Sequence, residues 1–224
     1  MEVRRRLLLG LLSVLGIAVQ ASDVSSQNQL PPFCHNYDCP KYWLVKQYAD
    51  FELRRYEETQ WVTTSLKQDA FNIGMVTSFS RLFRYINGKN AEGLKMNMTV
   101  PVMVYMPLKQ PLAGSATMSF FVSHEVKKPP TPTDPEVYLD TYPAVSLYVK
   151  TFGGYASTAM YVEQAKALAQ NLAALGLQFD YTYFVRAGYY SPLDFFGRHN
   201  EVWYMAKSPQ QWEFLDLSAA QPWL

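Results

Sequence analysis

An α+β domain, in which a curved antiparallel sheet carries two flanking helices, is predicted by three features of the sequence. Several short runs alternate apolar and polar residues with period two. Two longer stretches place apolar residues at spacings of three and four. The order strand, strand, helix, strand, strand occurs twice, roughly ninety residues apart. Neither half has enough faces to bury its own apolar surface, so the halves are expected to join in one sheet system that closes partly into a barrel.

The chain opens on three arginines, an apolar run from Leu7 to Val19 and small residues around Ala21. Residues 1–21 therefore read as a secretory signal peptide, too short and wrongly flanked for a membrane span. Cleavage after Ala21 leaves 203 of the 224 residues and removes three of 20 basic and one of 19 acidic side chains, leaving 17 and 18. A near-zero balance without a basic run argues against nucleic acid as the main partner. No later segment is long and apolar enough for stable membrane insertion, so the chain is expected to be secreted.

Residues 22–41 form a polar, proline-containing lead-in that holds the only two cysteines, Cys34 and Cys39. In an oxidising compartment a disulfide is the default. His35 and Asp38 between them offer metal ligation as the alternative, although structural zinc normally takes four ligands and no second cluster is present. Residues 42–210 form the globular domain, followed by a tail, 211–224.

Within the domain, Phe51 to Leu66 reads as two strands and a turn. Phe71, Met75, Phe79, Leu82, Phe83 and Ile86 then give the apolar face of a helix stopped at Asn87-Gly88. The stretch LKMNMTVPVMVYM, residues 94–106, alternates as a half-buried strand with Met96, Met98, Val100, Val102, Val104 and Met106 facing mostly core. Pro101 cannot donate to a ladder, so an edge or a bulge is expected there. The sequon Asn97-Met98-Thr99 turns Asn97 and Thr99 outward and marks Asn97 as a glycan acceptor in a secreted chain.

TMSFFVSHEV is a strand, KKPPTPTDPE an exposed extended loop, and VYLDTYPAVSLYVKTF a strand, turn and strand. After Gly153-Gly154 comes a helix whose apolar face is Tyr161, Ala165, Leu168, Leu172 and Leu175, with Gly176 as its stop. FDYTYFVRAGYY and EVWYMAKS supply two last strands around the loop SPLDFFGRHN.

Enzyme signatures are missing from the sequence: it holds no nucleophile elbow, P-loop, Rossmann glycine pattern or HExxH. Glu57 and Glu58 are adjacent and point to opposite sides of a strand. His199 and Glu201 share one face, as a candidate acid/base or metal pair, but two donors make a poor metal site. His35 and His124 are expected at the surface. No catalytic residue is assigned.

The segments FELRRYEETQWVTTS, YINGKN, KMNMTVPV, FGGYAS with YVEQA, and AGYYSP with GRHNEVW resemble the SOUL haem-binding family from Trp43 to Lys207. FCHNYDCP after a signal peptide resembles a secreted branch of it. The resemblance implies a distorted antiparallel β-barrel with two flanking helices and a pseudo-twofold repeat, similar to bacterial effector-binding domains. It implies non-enzymatic binding of haem or another porphyrin in a shallow apolar groove bordered by the first helix and a C-terminal loop. Phe79 and Phe83, with Met75 near them, take the apolar contacts; Arg84 takes a propionate and Arg81 stands nearby. A second basic slot of the family is Val76 here, and the loop lysine is Asp194. The axial histidine slot is Arg55, so iron needs another donor, such as Tyr56, or none. A protein-interaction module of the same fold, with an unidentified protein partner and no haem binding, is the alternative.

Overall fold

The computed structural model describes residues 31–67, 73–108, 116–191 and 197–207. The signal sequence, Phe71, Asp194 and the 211–224 tail lie outside these residues. A 3₁₀ turn, Pro32–Cys34, precedes β1 (Tyr42–Gln47), β2 (Glu52–Tyr56), β3 (Thr59–Ser65) and α1 (Ile73–Ile86). Next come β4 (Val102–Pro107), β5 (Thr117–Phe121), β6 (Val137–Tyr142) and β7 (Val145–Gly153). The chain continues through α2 (Thr158–Ala174), β8 (Tyr183–Gly188) and β9 (His199–Met205). The duplicated order is therefore β2-β3-α1-β4-β5 and β6-β7-α2-β8-β9, as the sequence predicts.

The strands form one nine-stranded sheet in the order β1-β2-β7-β9-β8-β4-β5-β3-β6. Its halves interlock by exchange. β2 pairs with β7, with Glu52 opposite Val149, and β6 pairs with β3, with Leu139 opposite Val62. β4 and β8 meet at the pseudo-twofold, with Val104 opposite Arg186. Consecutive strands are thus separated: β2 and β3 stand second and eighth in the order, yet only residues 57 and 58 join them. Three residue steps reach about 11 Å at most. The sheet must curl until those positions meet, and the equally short link between β6 and β7 imposes the same closure.

The helices cover the outer face, α1 over β3 and β5 and α2 over β7 and β9. Leu82 and Tyr85 of α1 and Tyr161, Ala165, Leu168 and Leu172 of α2 join Val62, Phe120 and Val202 in the main core. A second cluster fills part of the inner face, with Tyr56, Trp61, Met103, Val149 and Trp203. No helix among the described residues is long and apolar enough to cross a membrane.

Four expectations need correction. The methionine stripe enters a regular strand only at Val102; before it, Lys95 and Thr99 make isolated bridges. Pro101 sits just ahead of β4, so its missing donor falls outside the ladder, and β4 is central, flanked by β5 and β8, instead of an edge. Asn97 is exposed, but Thr99 is buried because its hydroxyl donates to the Phe121 carbonyl at 2.6 Å. Leu175 is exposed because α2 ends at Ala174 and Gly176 turns the chain with φ +65°. The even-numbered Val104 and Met106 do fill the helix-side core, with Met96, Met98 and Val102 packed against it.

The lead-in turns into a 3₁₀ helix and packs into the inner face. Cys34 and Cys39 form a disulfide and are both buried. The Asp38 carbonyl accepts from Val100 N–H at 3.0 Å, and its carboxylate accepts from Cys39 N–H at 2.9 Å. A Cys34→Ser, Cys39→Ser variant should lose about 2 kcal/mol of stability, the loop entropy of so short a ring. Urea unfolding of the oxidised parent and of the variant measures this; an unchanged midpoint would show that packing alone holds the segment.

Candidate functional site

Small residues decide how α1 lies. Gly74 and Ser78 are buried with Leu82, Tyr85 and Ile86, and the Ser78 hydroxyl donates to the Ser65 carbonyl at 2.8 Å. With that face inward, a rotation of about 100° per residue carries Val76, Phe79 and Phe83 to one flank and Thr77, Arg81 and Arg84 to the other. The phenylalanines are therefore not the sheet-facing side of the helix.

Phe79 is half-buried, its ring edge-on to Phe120 at 5.1 Å and stacked towards Phe83 at 5.9 Å with planes 17° apart. Phe83 is 46% exposed and Val76 68%. Met75, half-buried, packs against the core beneath them. The result is an aromatic ledge, with one ring anchored and the next open to solvent.

The basic residues stand apart from this ledge. Arg81 Nη1 lies 3.6 Å from Glu136 Oε2, and Arg84 Nη2 lies 3.6 Å from Asp134 Oδ2. Such solvent-exposed pairs are weak, of the order of 1 kcal/mol or less. Arg55 is exposed and reaches the Ser146 hydroxyl at 3.5 Å. Tyr56 is buried on the inner face of the sheet, opposite α1. The structure thus brings Met75, Phe79 and Phe83 together and places Arg81, Arg84 and Tyr56 elsewhere.

On that inner face lies a charge cluster that the sequence disclosed only in part. Glu201 is fully buried and accepts from Arg54 Nη1 at 2.9 Å, Tyr189 Oη at 2.8 Å and Trp203 Nε1 at 2.8 Å. His199 Nε2 stands 2.7 Å from it, and the His199 ring stacks on Phe33 of the lead-in at 4.1 Å. Arg54 also donates from Nε to Glu52 at 2.6 Å and lies over the Tyr42 ring at 4.4 Å. His199 and Glu201 do share a face, as their spacing implies, but four donors surround the carboxylate and the lead-in covers it. This arrangement holds the strands rather than offering a base to a substrate.

Burial raises the Glu201 pKa, but the Arg54 charge and the His199 and Trp203 hydrogen bonds outweigh it and bring the group to about 2. A depressed folded-state value means stabilisation that is complete above the unfolded value near 4.5 and lost as pH falls towards 2. Urea midpoints should therefore decline across that acid window, with a shallower decline in Glu201→Gln. Arg54→Met should cost about 3–5 kcal/mol by removing the counter-charge of a buried carboxylate. Adding Glu201→Gln should recover at least half of that loss; a purely additive double variant would contradict the pairing.

A curled half-barrel with helices on its outer face places the chain among effector-binding-domain-like folds. The C-terminal domain of EcmrR superposes with a TM-score of 0.52 at 8% identity, covering 69% of this chain and 95% of that one, a likeness of fold alone. The chain belongs to the SOUL heme-binding protein family, whose sequence model matches residues 37–205. Human Heme-binding protein 2 is 33% identical over 165 residues, which are 72% of this chain and 80% of the relative. Heme-binding protein 1 of Xenopus laevis is 30% identical over 158 residues, covering 69% and 83%. The family and fold read from the motifs thus hold.

Proposed function

We propose that this protein binds haem or an iron-free tetrapyrrole, without catalysing a reaction, against the aromatic flank of α1. The observation that carries this reading is the exposed Phe83 ring stacked beside an anchored Phe79. A planar macrocycle laid on that ledge removes apolar area from water at about 25 cal/mol per Å², offset by the cost of ordering both partners. Relatives named for heme binding support the ligand class.

The residues present fit the macrocycle better than they fit its iron. None of the three histidines lies on α1, and Tyr56 is across the sheet. Haem brings a redox-active iron when bound, but this chain's contribution is a stacking surface. Arg84, 57% exposed, stands on the other flank of α1 and would reach a propionate only by leaving its pair with Asp134 at 3.6 Å. Secretion belongs to the same proposal, supported by the pattern of residues 1–21, the Cys34–Cys39 bond and the exposed Asn97.

Absorbance and fluorescence titrations with hemin and protoporphyrin IX test this directly. The two affinities should agree within about threefold, and Phe83→Ala should weaken both by about tenfold. Arg84→Glu should have a smaller effect, reduced further by salt. Failure of either ligand to perturb its spectrum at about 10 μM protein would reject the site.

A further inference from the structure

We propose a second binding site, on the inner face of the sheet, for a flat aromatic molecule of one or two rings that carries no negative charge. There the curled strands border a half-open hollow of about 200 Å³. Six aromatic side chains line it: Tyr56, Trp61, Tyr105, Tyr142, Tyr183 and Trp203. Strands from both ends of the sheet order contribute, β2 through Tyr56 and β6 through Tyr142, so the walls exist only because the sheet closes on itself. Pro40 of the lead-in adds to the wall.

Size sets the ligand class. A dry apolar cavity of about 150 Å³ takes benzene, whereas drug-sized ligands need about 300 Å³ or more. This hollow takes in an indole or a naphthalene but cannot take in a whole tetrapyrrole, and its lining shares no residue with the ledge on α1.

Charge sets the next property. No Asp, Glu, Lys, Arg or His is among the lining residues. Glu201, behind Trp203, is already answered by Arg54 at 2.9 Å. An anion entering would lose its water, gain no counter-charge and meet the negative faces of the rings.

The polar contacts available are few. The indole N–H groups of Trp61 and Trp203 are taken by Thr59 at 2.9 Å and Glu201 at 2.8 Å, leaving their ring faces for the ligand. The Tyr183 hydroxyl donates only to the Met205 sulfur at 3.7 Å, a weak acceptor that a ligand oxygen would replace. The structure thus assigns stacking as the source of affinity and one phenol as the orienting group.

Isothermal titration calorimetry of the mature protein with 2-naphthol, indole and 1-naphthalenesulfonate tests the site. The neutral compounds should bind with Kd of about 100 μM or tighter, and the sulfonate at least about tenfold more weakly. Leu147→Trp, which fills the cavity from β7, should abolish 2-naphthol binding and leave hemin affinity within twofold of the parent. Should that variant fail to fold, Val145→Phe at the start of β7 takes its place with the same readout. No neutral binding at 1 mM, the sulfonate preferred over a neutral ring, or undiminished 2-naphthol binding by a folded, filled variant would each overturn the proposal.

Discussion

Exchange of the first strand between two similar halves is the constraint on which this structure rests. β2 leaves its own half to pair with β7, and β6 leaves its half to pair with β3. Because the links to β3 and β7 are so short, no flat sheet satisfies both pairings. Closure follows, and with it a division of the molecule into an outer face that helices must cover and an inner face that the chain must fill some other way.

The two faces are stabilised differently. Outside, α1 and α2 supply ordinary apolar burial. Inside, the lead-in brings Phe33 against a buried ion pair and its disulfide into the same core cluster, and Glu201 ties β9 to β2 through Arg54. A carboxylate without solvent is costly unless its hydrogen bonds are complete, and here Arg54, Tyr189, Trp203 and His199 complete them. The lead-in's position on the inner face and the charge cluster depend on each other, since His199 is sandwiched between Phe33 and the polar centre. What stays open is the flank of α1 outside and the aromatic hollow inside.

Much of this was legible in the sequence, and the gaps have physical causes. Period and punctuation give the duplicated order of elements, because alternation and capping are local properties. Pairing is not local, so nothing in FELRRYEETQWVTTSL tells that β2 and β3 lie six places apart in the sheet order. The helix face was misjudged for a related reason. Phenylalanine spacing points to the largest apolar residues, whereas Gly74 and Ser78 allow the closest approach to the sheet and so choose the buried side. Arg54 escaped notice as the partner of Glu201 because an arginine on a strand reads as solvated until a distant carboxylate, 147 residues away, is brought beside it. The methionine stripe was correctly read as core; Met103 and Tyr105, interleaved with it, line the inner hollow.

The central claim is that one closed sheet keeps two ligand surfaces apart, a ledge outside and a hollow inside. Amide and indole N–H resonances of ¹⁵N-labelled protein, followed during addition of protoporphyrin IX, test it most directly. Shifts confined to Val76–Phe83 and the adjoining loops, with the indole signals of Trp61 and Trp203 unmoved, are the result expected. Shifts of those two indoles with a silent α1 would place the macrocycle inside the barrel and contradict the account.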